Sequence, residues 1–189
     1  MIDCPENGLP LKVRKPDEMV DLILSSEPVK VEIAKLVKKR LDYYTQTLHH
    51  NIDETKVYKE VFSQAKGNIE RIASRYNHKA ISAFGGICRK VFTRIYDKII
   101  INENALQRVK SICANRKGPV IFCPTHRSYV DFILVSTINF FYSLEVPHIC
   151  AGEDLMMISG ISHLLRASGA FFMRRTFRGD DLYKAIFTQ

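Results

Sequence analysis

Val120-Ile121-Phe122-Cys123-Pro124-Thr125-His126-Arg127-Ser128-Tyr129-Val130-Asp131 is the stretch whose reading decides the fold. Its first four residues form a wholly apolar run bounded by Pro119 and Pro124, the pattern of a short buried strand in a parallel sheet. Residues from about 129 to 142 read as helix, so the twelve residues predict strand, turn and helix. In a regular helix two residues five apart point about 140° away from each other. His126 and Asp131 can therefore meet only if the histidine sits in the turn and the aspartate in the first turns of the helix. Pro124 ending the strand, with Thr125 or Ser128 as helix cap, supplies that shape.

Working outward, residues 147–151 and 169–173 are strand-like, with a helix expected over 155–167. Strands alternating with helices imply a parallel α/β sheet. An amphipathic helix begins near Asp180 with Leu182, Tyr183, Ile186 and Phe187, and no stop signal follows. Three strands make a poor parallel sheet, so the chain is expected to be cut short. Upstream, residues 1–16 read as an unstructured lead-in. A long helix opens near Pro28, with Val31, Ile33, Ala34, Val37, Leu41 and Tyr44 expected on its inner face. A second covers about 55–76, with Val57, Val61, Phe62, Ala65, Ile69, Ile72 and Ala73 inward. A third runs over 79–98, where Gly85-Gly86 implies a close contact or a kink. Asn102 caps a fourth, which ends over 115–118. The expected fold class is α/β: an N-terminal helical region over 1–77, then the N-terminal portion of an α/β domain over 78–189, a truncated, mainly parallel sheet flanked by helices.

Hydrophobic residues make up 46% and charged residues 25% of the 189, an ordinary globular composition. The net charge of +8 favours anionic partners: nucleic acid, phosphorylated metabolites, coenzyme A or an anionic membrane surface. Nucleic acid is disfavoured, because no basic helix with interleaved aromatics and no known motif is present. Cys4, Cys88, Cys113, Cys123 and Cys150 are scattered without a CxxC pair, which reads as free thiols in a reducing compartment. Cys123 and Cys150, lying in apolar runs, are expected to be buried. No metal site is expected: His49, His50, His78, His148 and His163 lie at no ligand spacing, and a structural role is their default. The start has no signal-peptide pattern. The longest uncharged stretch, 132–144, is shorter than the ~20 residues a membrane span needs. Its Phe140-Phe141-Tyr142 cluster fits either a buried core helix or a lipid-facing one. Lys38-Lys39-Arg40 is either a solvated helix face or a weak nuclear or membrane-surface signal.

The chemistry rests on His126 and Asp131. A carboxylate that accepts from one imidazole nitrogen fixes the tautomer and stabilises the cation, and the other nitrogen then removes a proton from a hydroxyl. The helix start is further expected to offer backbone N–H groups to an oxyanion. Spacing alone is weak, since a chance His-x4-Asp arises in about one such chain in four. A second strand-to-loop transition, Ser168-Gly169-Ala170-Phe171-Phe172-Met173-Arg174-Arg175, strengthens it. Arginines at a strand's carboxyl end can grip phosphate in bidentate fashion, although a solvated or salt-bridged pair is the commoner case. A base and a phosphate grip on one sheet edge describe a phosphorylated alcohol as acceptor.

The pattern His126-Arg127-Ser128-Tyr129-x-Asp131, followed by Gly169-x-Phe171-Phe172-x-Arg174-Arg175, resembles the first two motifs of the glycerolipid acyltransferase family with the HX4D signature. Ala151-Gly152-x-Asp154 and the wording of 168–177 resemble the branch acting on dihydroxyacetone phosphate more than that acting on glycerol 3-phosphate. The resemblance is close over 78–189 and loose before it. It implies acyl transfer from acyl-CoA, as co-substrate and without a cofactor, to a hydroxyl of dihydroxyacetone phosphate, the first step of ether-lipid synthesis. It implies His126 as base, Asp131 as its partner, Arg127 and Ser128 in substrate or oxyanion contacts, and Arg174 and Arg175 on the acceptor phosphate. It further implies peripheral membrane association on the matrix side of the peroxisome, the mitochondrial outer membrane being the alternative. The family's third motif, Glu-Gly-x-Arg, and its fourth are not in these residues, nor is a peroxisomal tripeptide, so residues 1–189 alone are expected to be inactive. The competing expectations are a glycerol-3-phosphate acyltransferase and a non-catalytic lipid- or membrane-associated fragment.

Overall fold

The computed structural model describes residues 16–47, 52–115, 118–128, 130–157 and 160–189. The expected lead-in over 1–16 lies outside them, Pro16 excepted. Among the described residues the chain forms two compact units that alternate along the sequence. One holds Tyr76–Ile149 and His163–Ala170; the other holds 16–75, Cys150–Ser162 and Phe171–Gln189.

The second unit is built on helices α1 (Pro16–Ser25), α2 (Glu27–Thr47) and α3 (Glu54–Ile72). Asp53 caps α3, its side chain accepting from the Thr55 N–H at 3.0 Å. The core joins Val29, Ile33 and Val37 of α2 to Val57, Val61, Ala65 and Ile69 of α3, with Leu182 and Ile186 from α8 (Asp181–Phe187). Every fourth residue faces inward, so one i, i+4 row of α2 carries the contact. This corrects the expected inner face: Val31 and Ala34 are exposed and Val29 is buried instead. Val31 lies about 160° round the helix from Val29 and from Ile33, so it cannot share their row. Helix α1 has no counterpart among the expected elements. At ten residues it is too short to persist alone, and Val20, Ile23 and Leu24 hold it against the core.

In the first unit, Asn77 starts α4 (His78–Ile95), its side-chain oxygen accepting from the N–H groups of Lys79 at 2.9 Å and Ala80 at 3.3 Å. Ile81, Cys88 and Phe92 are buried along one face of α4. Between them Gly85 meets α6 (Val130–Phe141): a Cβ there would stand 2.7 Å from Phe140 Cε1. The glycine pair thus marks a close contact, not a kink, since α4 runs unbroken through it. Helix α5 (Glu103–Asn115) starts with Asn102 accepting from the Ala105 N–H at 3.0 Å. Thr137 and Asn139 of α6 are buried and Phe140 packs on Gly85, while its other described residues are half-buried. No helix among the described residues is long and apolar enough to cross a membrane.

Strands β1 (Ile149–Gly152) and β2 (Ala170–Met173) pair as a small parallel sheet, Ile149 N–H donating to the Gly169 carbonyl at 3.4 Å. With the surrounding helices this gives the α/β class expected, with one strand fewer. Residues 120–123 form no strand; Ile121 is 80% exposed and Cys123 is exposed. An apolar run becomes a strand only where a neighbour completes its hydrogen-bond ladder, and among the described residues only β1 and β2 do so. Cys150 is exposed as well, because side chains alternate along β1 and Ala151 takes the inward place. The helix expected over 155–167 divides into a 3-10 turn, Glu153–Met157, and α7, Ile161–Ala167. Gly160 before α7 has φ of 81°, a left-handed conformation that a helix cannot continue through.

Candidate active site

The start of α6 is built as a capping box with aspartate in the usual glutamate's place. Ser128 Oγ accepts from the Val130 N–H at 3.1 Å. Asp131 Oδ2 reaches back and accepts from the N–H groups of Arg127 at 2.6 Å and Ser128 at 2.7 Å. The Ser128 hydroxyl also donates to Asp131 Oδ1 at 3.4 Å. The backbone donors of Ser128 and Arg127, with a smaller contribution from His126, hold the Asp131 carboxyl below its ordinary value of 3.8.

That same Oδ2 lies 3.5 Å from Nδ1 of His126, which stands in the segment before the helix. The imidazole is 63% exposed and the Asp131 side chain 26%. The Phe132 ring lies 6.5 Å from the imidazole, centre to centre. With Nδ1 turned to the carboxylate, Nε2 lies on the opposite edge of the ring.

One expectation is corrected here. The N–H groups of Arg127, Ser128 and Val130 are engaged as described, and that of Asp131 donates to the Ser128 carbonyl at 3.3 Å. The anion that the helix start attracts is the chain's own carboxylate. These four groups therefore do not await an oxyanion.

The Asp131 carboxyl has a lowered pKa in the folded state, so its contribution to stability is complete above about its ordinary value. That contribution is lost as pH falls through the lower folded value. Asp131→Asn is therefore expected to unfold more easily than the parent at neutral pH, the difference shrinking as acid protonates the parent carboxyl. Denaturant midpoints of both proteins across an acid series check this; a difference independent of pH would refute it.

The arginine pair belongs to the other unit. Arg174, just past β2, places Nη1 2.7 Å from Asp180 Oδ2 and Nε 3.3 Å from Glu153 Oε2. Its guanidinium lies 4.1 Å from the centre of the Tyr183 ring, and the Arg174 backbone N–H donates to the Tyr183 hydroxyl at 3.2 Å. Asp180 in turn caps α8, accepting from the Tyr183 N–H at 2.9 Å. Arg174 is thus held by two carboxylates and an aromatic face. Arg175 is 85% exposed and meets one oxygen among the described residues, Asp154 Oδ2, with Nη2 at 2.6 Å and Nε at 2.8 Å. An exposed pair of this kind is worth about 0–1 kcal/mol, little enough for a dianionic phosphate to displace it. Sequence reasoning missed Glu153, Asp180 and Tyr183 as partners of Arg174. A capping signal at Asp180 was available, but nothing in the sequence tied Glu153 to it. Asp154 and Arg175, from two of the segments quoted for the resemblance, meet in space.

Among the remaining histidines, His148 places Nδ1 2.9 Å from the Gly169 carbonyl, and its ring lies 5.5 Å from that of Tyr76, a structural setting. His49 and His50 lie outside the described residues.

Residues 99–187 match the Acyltransferase family model, a span that holds both motifs. The dihydroxyacetone phosphate acyltransferase of Mus musculus is 36% identical over 175 residues, 93% of this chain and 24% of that protein. The enzyme of that name from Homo sapiens is 33% identical over 168 residues, 88% of this chain and 24% of its own length. A glycerol-3-phosphate acyltransferase of Pseudomonas putida is 40% identical over 118 residues, 62% of this chain and 14% of that protein. The chain therefore spans about a quarter or less of the curated relatives it matches.

Proposed function

We propose that the whole protein, whose residues 99–187 match the Acyltransferase family model, transfers an acyl group from acyl-CoA to the hydroxyl of dihydroxyacetone phosphate. The observation that carries this reading is the His126 Nδ1 to Asp131 Oδ2 contact of 3.5 Å at the start of α6. Nε2 of His126 takes the proton of the acceptor hydroxyl as its oxygen attacks the thioester carbonyl. The tetrahedral intermediate collapses, the carbon–sulfur bond breaks, and the imidazolium returns the proton to the departing thiolate. Asp131 stabilises the transient cation without itself being protonated. Through their backbone N–H groups Arg127 and Ser128 hold the carboxylate in place. Arg175 binds the acceptor phosphate, and Arg174 fixes the loop from which Arg175 projects. The product feeds ether-lipid synthesis, and the protein works as a peripheral membrane protein on the matrix side of the peroxisome.

Glycerol 3-phosphate is the competing acceptor, favoured by the 40% identity to the Pseudomonas enzyme. Offering both acceptors to the whole protein with labelled acyl-CoA separates the two. Acyl dihydroxyacetone phosphate as main product supports the proposal; lysophosphatidic acid as main product overturns the acceptor, and neither overturns the activity. In the same assay Arg175→Ala is expected to raise the acceptor KM about 10- to 100-fold, the scale of a lost charged hydrogen bond, with the acyl-CoA KM unchanged. An unaltered acceptor KM would remove Arg175 from the site.

A further inference from the structure

Helix α4 carries an apolar face that the described residues of its unit leave uncovered. Ile87, Val91 and Ile95 are 52%, 46% and 55% exposed, and Tyr96 at the helix end is 41% exposed. Successive fourth positions place the three aliphatic residues within about 80° of arc, beside the buried Cys88 and Phe92 but distinct from them. Isolated exposed isoleucines are ordinary, whereas a row at helical spacing is a surface with a use. Lys90 and Arg94, both exposed, border the row on the side away from the buried face. The eighteen residues of α4 include Lys79, Arg89, Lys90 and Arg94 and not one aspartate or glutamate.

We infer that this face of α4 lies on an anionic lipid bilayer, with Ile87, Val91 and Ile95 in the headgroup boundary and Lys90 and Arg94 on lipid phosphates. The charge decides the occupant. An apolar row flanked along the helix by Lys90 and Arg94, with Asp97 exposed only beyond the helix end, complements a negatively charged surface, and long basic side chains can reach headgroups while their stems stay apolar. The inference deepens, and rests on, the part of the proposed function that sets the protein on a membrane. It does not involve His126 or the arginine pair, so it can fail while acyl transfer stands, and the reverse.

The test is flotation of the 189-residue chain with phosphatidylcholine vesicles prepared with and without phosphatidylserine. Binding is expected only to the anionic vesicles and should weaken as salt is added. Lys90→Gln with Arg94→Gln should reduce it roughly 25-fold, at about fivefold for each cation near a charged surface. Ile87→Glu with Ile95→Glu should abolish it. All four positions are exposed, so circular dichroism and the melting temperature should stay at parent values. Absence of binding to anionic vesicles overturns the proposal, as does binding that both double variants retain. Self-association that Ile87→Glu with Ile95→Glu abolishes, without vesicle binding, would assign the face to a second copy and also overturn it.

Discussion

His126→Ala in the whole protein is expected to lower the turnover number by about 10²–10⁴-fold, the contribution of a positioned general base. The imidazole is the group whose Nδ1 faces the Asp131 carboxylate at the start of α6. Because the side chain is 63% exposed, its removal should leave the fold intact, so the loss falls on turnover and not on the amount of folded protein. The measurement is a steady-state acyl-transfer assay beside a thermal melt of the same preparation. The acceptor KM should change little, since the base acts mainly in the transition state. Turnover within a few-fold of the parent, with an unchanged melt, would rule out His126 as the base.

Phe172→Ala is expected to destabilise the chain by about 3–5 kcal/mol, the cost of emptying a buried aromatic position. Phe172 is 1% exposed and is among the largest fully buried side chains. In a chain of this size the loss corresponds to a fall in melting temperature of about 6–20 °C. The effect should reach function too. Phe172 lies in β2 two residues before Arg174, so loosening the strand loosens the Glu153, Asp180 and Tyr183 contacts that hold the arginine. Arg175→Ala makes a useful contrast: it removes an exposed pair and should shift the melt hardly at all. A Phe172→Ala protein that melts with the parent would show that the strand is not held by this ring.

The two arginines, adjacent and chemically identical, show where reading residues stops. From sequence both are candidate phosphate ligands. In the fold Arg174 is enclosed by Asp180, Glu153 and Tyr183 while Arg175 projects outward beside Asp154. Alternation at the end of a strand sends neighbours to opposite sides, and which side holds the carboxylates depends on Glu153, about twenty positions earlier, as well as on Asp180 just after. The same limit explains residues 120–123. Their apolar character was legible, but a strand needs a partner, and pairing is a property of two segments. The helix starts at Asn102 and Ser128 were legible because a cap and the N–H groups it satisfies lie within three residues of each other.

By itself the sequence determined what depends on neighbours along the chain: the longer helices, the caps at Asn102 and Ser128, and the meeting of a histidine before a helix with an aspartate in its first turn. It also carried the motif wording that falls within the span, 99–187, matching the Acyltransferase family model. Tertiary structure alone decided which apolar segments pair as strands, that Val29 and not Val31 enters the core, and that Asp131 occupies the N–H groups expected for an oxyanion. It also separated Arg174 from Arg175 and left one apolar row of α4 in the open. The division has one physical cause. Local hydrogen bonds and helical periodicity act over a few residues, whereas burial and ion pairing are settled by whichever distant segment arrives to share the space.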